Sequence, residues 1–156
     1  YWLQSPEIIP YEIRDAIGNK FYGCDDCLTS CPPGQENKII ITFNKSQRVN
    51  LQEIIESDDK HLLEKYYWFY IPKKNPEFLK RNAIIALGNN PDNCSTEFFK
   101  NMYSKFSTHL KIYTIWALFK NNNYELCEQL IKLYDSDNQS ILEEYEKLKV
   151  MISLVK

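Results

Sequence analysis

Apolar residues recur at helical spacing along most of the chain, and caps and breakers separate the runs. Pro10 suits the first turn of a short helix over residues 10–17, which Gly18-Asn19 ends. Pro32-Pro33-Gly34 then breaks the chain. Ile39-Ile40-Ile41-Thr42-Phe43 is β-like but short, and the expectation is an extended connector. Asn50 with Glu53 three residues later is a capping-box pattern. A further helix is expected from about Asp58 to Phe69. Asn75-Pro76 opens a strong one, whose apolar side is Phe78, Leu79, Ala83, Ile84, Ala86 and Leu87, and Gly88-Asn89 closes it. Helices are also expected near 95–106, 109–120, 123–134 and 138–154.

Two of these helices share a motif. Ala86-Leu87 aligns with Ala117-Leu118 at an offset of 31 residues, and each copy leads into an Asn-rich turn. Helix pairs at that period resemble HEAT-type repeats, which bury a shared core between neighbours. An ordinary small helical bundle is the alternative. The fold class is therefore mainly α.

Composition bounds the class. Hydrophobic residues make up 44% of the 156, enough for a core, and no apolar run nears the roughly 20 residues that span a bilayer. No signal peptide is expected, and a cytoplasmic monomer fits these features. The opening Tyr1-Trp2-Leu3-Gln4-Ser5-Pro6 reads as cut from the middle of a longer chain. Net charge is −2, but residues 61–120 hold nine Lys or Arg against four Asp or Glu. A basic middle is either a phosphate-facing surface or a solvated helical face.

The five cysteines are Cys24, Cys27, Cys31, Cys94 and Cys127. Three within eight residues make a poor disulfide framework and a good metal-binding one. Gly23-Cys24-Asp25-Asp26-Cys27-Leu28-Thr29-Ser30-Cys31-Pro32 has the spacing C-x2-C-x3-C-P, like the end of a bacterial ferredoxin run. Zinc is the rival metal, but it needs a fourth Cys or His nearby, and His61 and His109 lack ligand spacing. Cys127 falls in a predicted helix and Cys94 at the edge of one, and both are expected as small buried residues. Asp25 and Asp26 are expected as turn and cap residues rather than as an acid–base pair.

The cysteine segment, with Pro10-Tyr11-Glu12-Ile13-Arg14 and Ile17-Gly18-Asn19-Lys20 before it, resembles the second cysteine segment of the epoxyqueuosine reductases. Arg81-Asn82 through Ala86-Leu87-Gly88-Asn89 and the later Trp116-Ala117-Leu118 resemble two helices of the same family. The resemblance covers about residues 1–120. It departs at Pro33-Gly34, where the family usually has Trp-Asn, and in a shorter basic segment, Lys73-Lys74.

The resemblance implies an oxidoreductase that reduces epoxyqueuosine to queuosine in tRNA, with cobalamin, two [4Fe–4S] clusters and an electron donor. Cys24 and Cys27 would ligate one cluster and Cys31 the other. Residues 1–45 would close a ferredoxin-type domain, and residues 46–156 would form HEAT-like helices that help hold tRNA. A first cysteine run, the cobalamin domain and the catalytic acid would lie outside this chain, which alone should be inactive. The other readings are a ferredoxin-like electron carrier and a zinc-stabilised helical adaptor.

Two features bear on RNA. Lys73, Lys74, Lys80 and Arg81 are candidate phosphate contacts, with Arg81 alternatively bracing a neighbouring helix. Tyr66-Tyr67-Trp68-Phe69-Tyr70 could stack bases, but a helix so dense in aromatics is expected to pack a core.

Overall fold

The computed structural model describes residues 1–23, 30–32, 49–93 and 95–155, and those residues contain helices and no strand. The β-like run 39–43 and the domain boundary expected at residue 45 lie outside them.

Caps set most helix starts. Helix α1, Tyr11–Ile17, follows Pro10 and stops at Gly18, whose φ of 57° suits glycine. In α2, Leu51–Glu56, the Asn50 side chain accepts from the Gln52 and Glu53 amides. The reciprocal half of the expected capping box is not made, because the Glu53 carboxylate turns to Lys65 at 2.7 Å. Asp58 caps α3, Asp59–Lys65. Asn75 accepts from the Glu77 amide at the start of α4, Glu77–Gly88. Ser95 caps α5, Thr96–Met102, and Ser107 caps α6, Thr108–Lys120. Helices α7, Tyr124–Tyr134, and α8, Gln139–Val155, complete the set.

Helix α3 is shorter than its pattern predicts. It ends at Lys65, and the aromatic run continues as turns. Five consecutive aromatics cannot all face one side of a helix, and each loses rotamer freedom against the preceding turn. The run therefore splits. Tyr66 is buried and Phe69 half-buried, whereas Tyr67, Trp68 and Tyr70 are exposed. The core-packing expectation holds for the first two and is corrected for the other three.

Helices α4 and α6 form the centre, each buried over nearly its whole length. They run parallel. Ser107 at the start of α6 donates to Glu77 at the start of α4, and Asn121 at its end donates to the Gly88 carbonyl at 2.9 Å. A Cβ on Gly88 would lie 2.7 Å from the Ala117 Cβ and 2.8 Å from the Trp116 ring. Small residues at 88 and 117 thus permit the close approach of the two helices. Helix α8 joins the same parallel array, since Asn138 reaches Thr108 at 3.2 Å. Helices α4, α6 and α8 begin at residues 77, 108 and 139, so the spacing of 31 expected for two helices extends to a third. Leu87 and Leu118 both point inward. The turn at residues 121–123 reverses the chain, so α7 runs antiparallel to α6. Lys111 pairs with Asp135 at 2.9 Å, and the Cys127 thiol donates to the Ile115 carbonyl at 3.7 Å.

Candidate functional site: the cysteine segment and its helical seat

The chain leading into the cysteines is held by polar side chains that the helices bury. Arg81 is wholly buried in α4. Its guanidinium donates to the carbonyls of Ser5 at 2.6 Å and of Trp2 and Leu3 at 3.2 Å. It also donates to its neighbour Asn82, whose amide in turn donates to the Leu3 carbonyl at 2.8 Å. Among the described residues no carboxylate pairs with Arg81, so the carbonyl dipoles must offset its charge. Burial lowers the Arg81 pKa from its ordinary value, although a guanidinium stays protonated. An RNA contact expected of Arg81 is therefore corrected: the side chain is sealed from solvent and committed to the backbone.

Helix α1 is fixed at both ends. Arg14, also buried, donates through Nε to the Ile9 carbonyl at 2.8 Å and through Nη1 to Glu144 of α8 at 2.7 Å. Its guanidinium lies 4.6 Å from the ring centres of both Tyr11 and Tyr113. Tyr11 donates to the other Glu144 oxygen at 2.7 Å, and burial foremost raises the Tyr11 pKa. The Tyr113 hydroxyl accepts from the Ile9 amide. At the other end, Asn89 donates to the carbonyls of Arg14 at 2.8 Å and Gly18 at 3.0 Å. Lys120, 31 residues later, donates to Asn89 at 2.7 Å and pairs with Asp15.

Beyond α1 the chain turns at Gly23, with φ at 70°. Tyr22 stacks on Phe69 with ring centres 3.7 Å apart, and its hydroxyl accepts from the Tyr70 amide at 2.6 Å. The aromatic run is thereby tied to the approach to the cysteines. Cys31 is exposed and carries no disulfide. A free, accessible thiol fits the donor that an iron–sulfur ligand requires. Cys24, Cys27, Asp25, Asp26 and Cys94 lie outside the described residues, so the structure does not test the full ligand set. Among the described residues no three metal-ligating side chains converge. Cys127 is buried as expected, and burial pushes its thiol up to about 12.

The basic candidates separate. Lys80 is largely shielded and pairs with Asp59 at 3.0 Å. Lys73 and Lys74 are exposed, with φ of 53° and 52°. The Arg14–Glu144 pair was not legible as a site. One signal could have found it: on α8, Glu144 interrupts an otherwise apolar face of Ile141, Tyr145 and Leu148.

No family model matches the chain. An epoxyqueuosine reductase of Vibrio cholerae is 34% identical over 94 residues, 57% of this chain and 26% of that protein. One from Francisella cf. novicida is 29% identical over 145 residues, 90% of this chain and 33% of that protein. The chain thus spans a third or less of these two curated relatives. Among solved structures, the epoxyqueuosine reductase of Bacillus subtilis aligns over 94% of this chain and 41% of its own, with a TM-score of 0.72 and 24% identity. An epoxyqueuosine reductase crystallised with a tRNA stem loop aligns over 94% of this chain with a TM-score of 0.70 and 23% identity. No described helix is long and apolar enough to cross a membrane. In sequence over much of its length, and in fold over nearly all of it, this chain is similar to part of an epoxyqueuosine reductase.

Proposed function

We propose that the chain is the part of an epoxyqueuosine reductase that carries iron–sulfur ligands and faces tRNA. The observation that carries this reading is the seat itself. Buried Arg81 and Asn82, with Asn89, grip the backbone of the segment that leads into C-x2-C-x3-C-P. In this reading Cys24 and Cys27 bind one [4Fe–4S] cluster and Cys31 the other, and the clusters supply one-electron transfer when bound. Residues 1–45 close a ferredoxin-type domain and residues 46–156 form a HEAT-like stack. The 31-residue spacing of three parallel helices supports that assignment. Cobalamin, the catalytic acid and the remaining cluster ligands belong to the rest of such an enzyme. Its setting would be the cytoplasm, with a separate electron donor.

Anaerobic reconstitution of the longest natural form with iron and sulfide tests the metal. Binding of iron with the broad visible absorption of [4Fe–4S] is the expected result. Stoichiometric zinc without iron would overturn it. A second measurement addresses RNA. Lys73→Glu with Lys74→Glu should weaken tRNA binding and reduce its salt slope by roughly two, about one per lost phosphate contact. Cluster content should not change.

A further inference from the structure

We propose that Tyr67, Trp68 and Tyr70, with Lys73 and Lys74, form a stacking platform for unpaired nucleotides of an RNA loop. The inference rests on the tRNA-facing reading above and assigns a surface and a chemistry to it.

The three aromatics are 78%, 63% and 66% exposed, although the core that takes up Tyr66 lies directly beneath them. Large rings left in water next to an available core are a surface that favours a partner. Tyr67 and Trp68 meet edge to face with ring centres 4.9 Å apart. Tyr67 and Tyr70 line a groove of about 580 Å³ together with Phe69, Ile71, Lys73 and Lys74.

The backbone supports the same reading. Lys73 and Lys74 both sit in the left-handed region, which disfavours residues with a Cβ. Two such residues in succession store strain, and strain of this kind gathers at functional positions. The Lys74 and Asn75 amides, bonded to Ile71 and Pro72, hold the turn. Both lysine side chains are exposed, and among the described residues neither has an ion-pair partner. Three carboxylates of α2 and α3 are engaged elsewhere, Glu53 with Lys65, Asp59 with Lys80 and Glu64 with Lys60, which leaves Glu56 as the one in those helices without an ion pair among the described residues. The groove therefore presents positive charge beside π-faces. Rings take bases without regard to sequence, and lysines take the phosphates between them. The Tyr22–Phe69 stack puts the platform next to the approach to the cysteine segment.

The test uses the longest natural form and two labelled RNAs: a stem closed by a seven-nucleotide loop, and a blunt duplex of the same stem. Trp68→Ala with Tyr70→Ala should weaken stem-loop binding roughly tenfold or more and leave duplex binding unchanged. Trp68→Phe, which keeps a ring, should retain most of the affinity. The stem loop should also quench tryptophan emission in the natural protein, and Trp68→Phe should abolish that quench. The quench holds the proposal to account even if the double variant fails to fold. Unchanged stem-loop affinity, or a quench that survives Trp68→Phe, would overturn the platform while leaving RNA binding intact. Equal losses for stem loop and duplex would overturn it as well. Failure of the natural protein to bind either RNA would overturn both this inference and the tRNA-facing reading. Self-association that Trp68→Ala abolishes, with no change in RNA affinity, would reassign the ridge to a second copy of the chain.

Discussion

Arg81 holds four backbone carbonyls, those of Trp2, Leu3, Ser5 and Glu7, and its value lies in geometry more than in charge. The guanidinium is a planar fork, so it reaches Ser5, Leu3 and Trp2 together. Arg81→Leu should leave buried acceptors without donors and cost roughly 3 kcal/mol or more in urea unfolding. Arg81→Lys should recover little of that, because an ammonium cannot span the same acceptors. His109 gives a pH-dependent expectation. Its Nε2 is buried without a partner, its ring meets Phe78 and Tyr113 edge-on, and burial lowers its pKa. The unfolded chain then takes up the proton more readily than the folded one. Stability should therefore fall as pH drops from roughly 6.5, the unfolded value, toward the lower folded value. Urea midpoints across pH 7.5 to 5 should fall less steeply in His109→Asn than in the natural protein; equal slopes would remove His109 from the account. The cysteines give a third expectation. In metal-free native protein, a maleimide should label Cys31 and spare Cys127, as peptide mass mapping would report.

At the scale of elements, Gly88 lets α4 lie close against Ala117 of α6. Gly88→Ala gains helix propensity of about 1 kcal/mol, but its Cβ meets Ala117 at 2.7 Å. Both atoms belong to rigid helices, so overpacking should win and the variant should lose about 1–2 kcal/mol net in thermal or urea unfolding. Helix positions were largely legible in the sequence, because capping residues at 50, 58, 75, 95 and 107 and the breaker at 18 act locally. The 31-residue offset was legible for the same reason, through the recurring Ala-Leu pair. The end of α3 was not, since a run of five aromatics satisfies a helical and an irregular pattern equally well. A bracing role was among the readings of Arg81, but its partners escaped the pattern. A basic residue beside Lys80 reads as surface until the tertiary fold carries residues 2–5 across it, 76 to 79 positions away in sequence.

Across the whole molecule, the first helix and the last are joined. Glu144 meets Arg14 with both side chains nearly excluded from water, so truncating one leaves the other charged and buried. Glu144→Ala should lower stability by about 3–5 kcal/mol. Hydrogen exchange should show the loss in residues 11–18 as well as in α8, since they share the contact. If exchange rises only in α8, the two ends are not coupled. The final stretch, which lies beyond the motifs that carry the family resemblance, is thus structurally continuous with the segment that precedes the cysteines. Its role was hidden because a carboxylate on an apolar face names no partner until the two ends meet.

The 130 residues between Arg14 and Glu144 also set an order in time. A ribosome adding about 5–20 residues each second makes the second partner roughly 7–26 s after the first. For that interval the nascent cysteine segment exists without the last side chain that locks its leading helix. Metal loading during synthesis would meet a loosely held segment, and loading after release would meet a finished one. Chains stalled before residue 144 should accordingly exchange the amide hydrogens of residues 11–18 faster than released chains do.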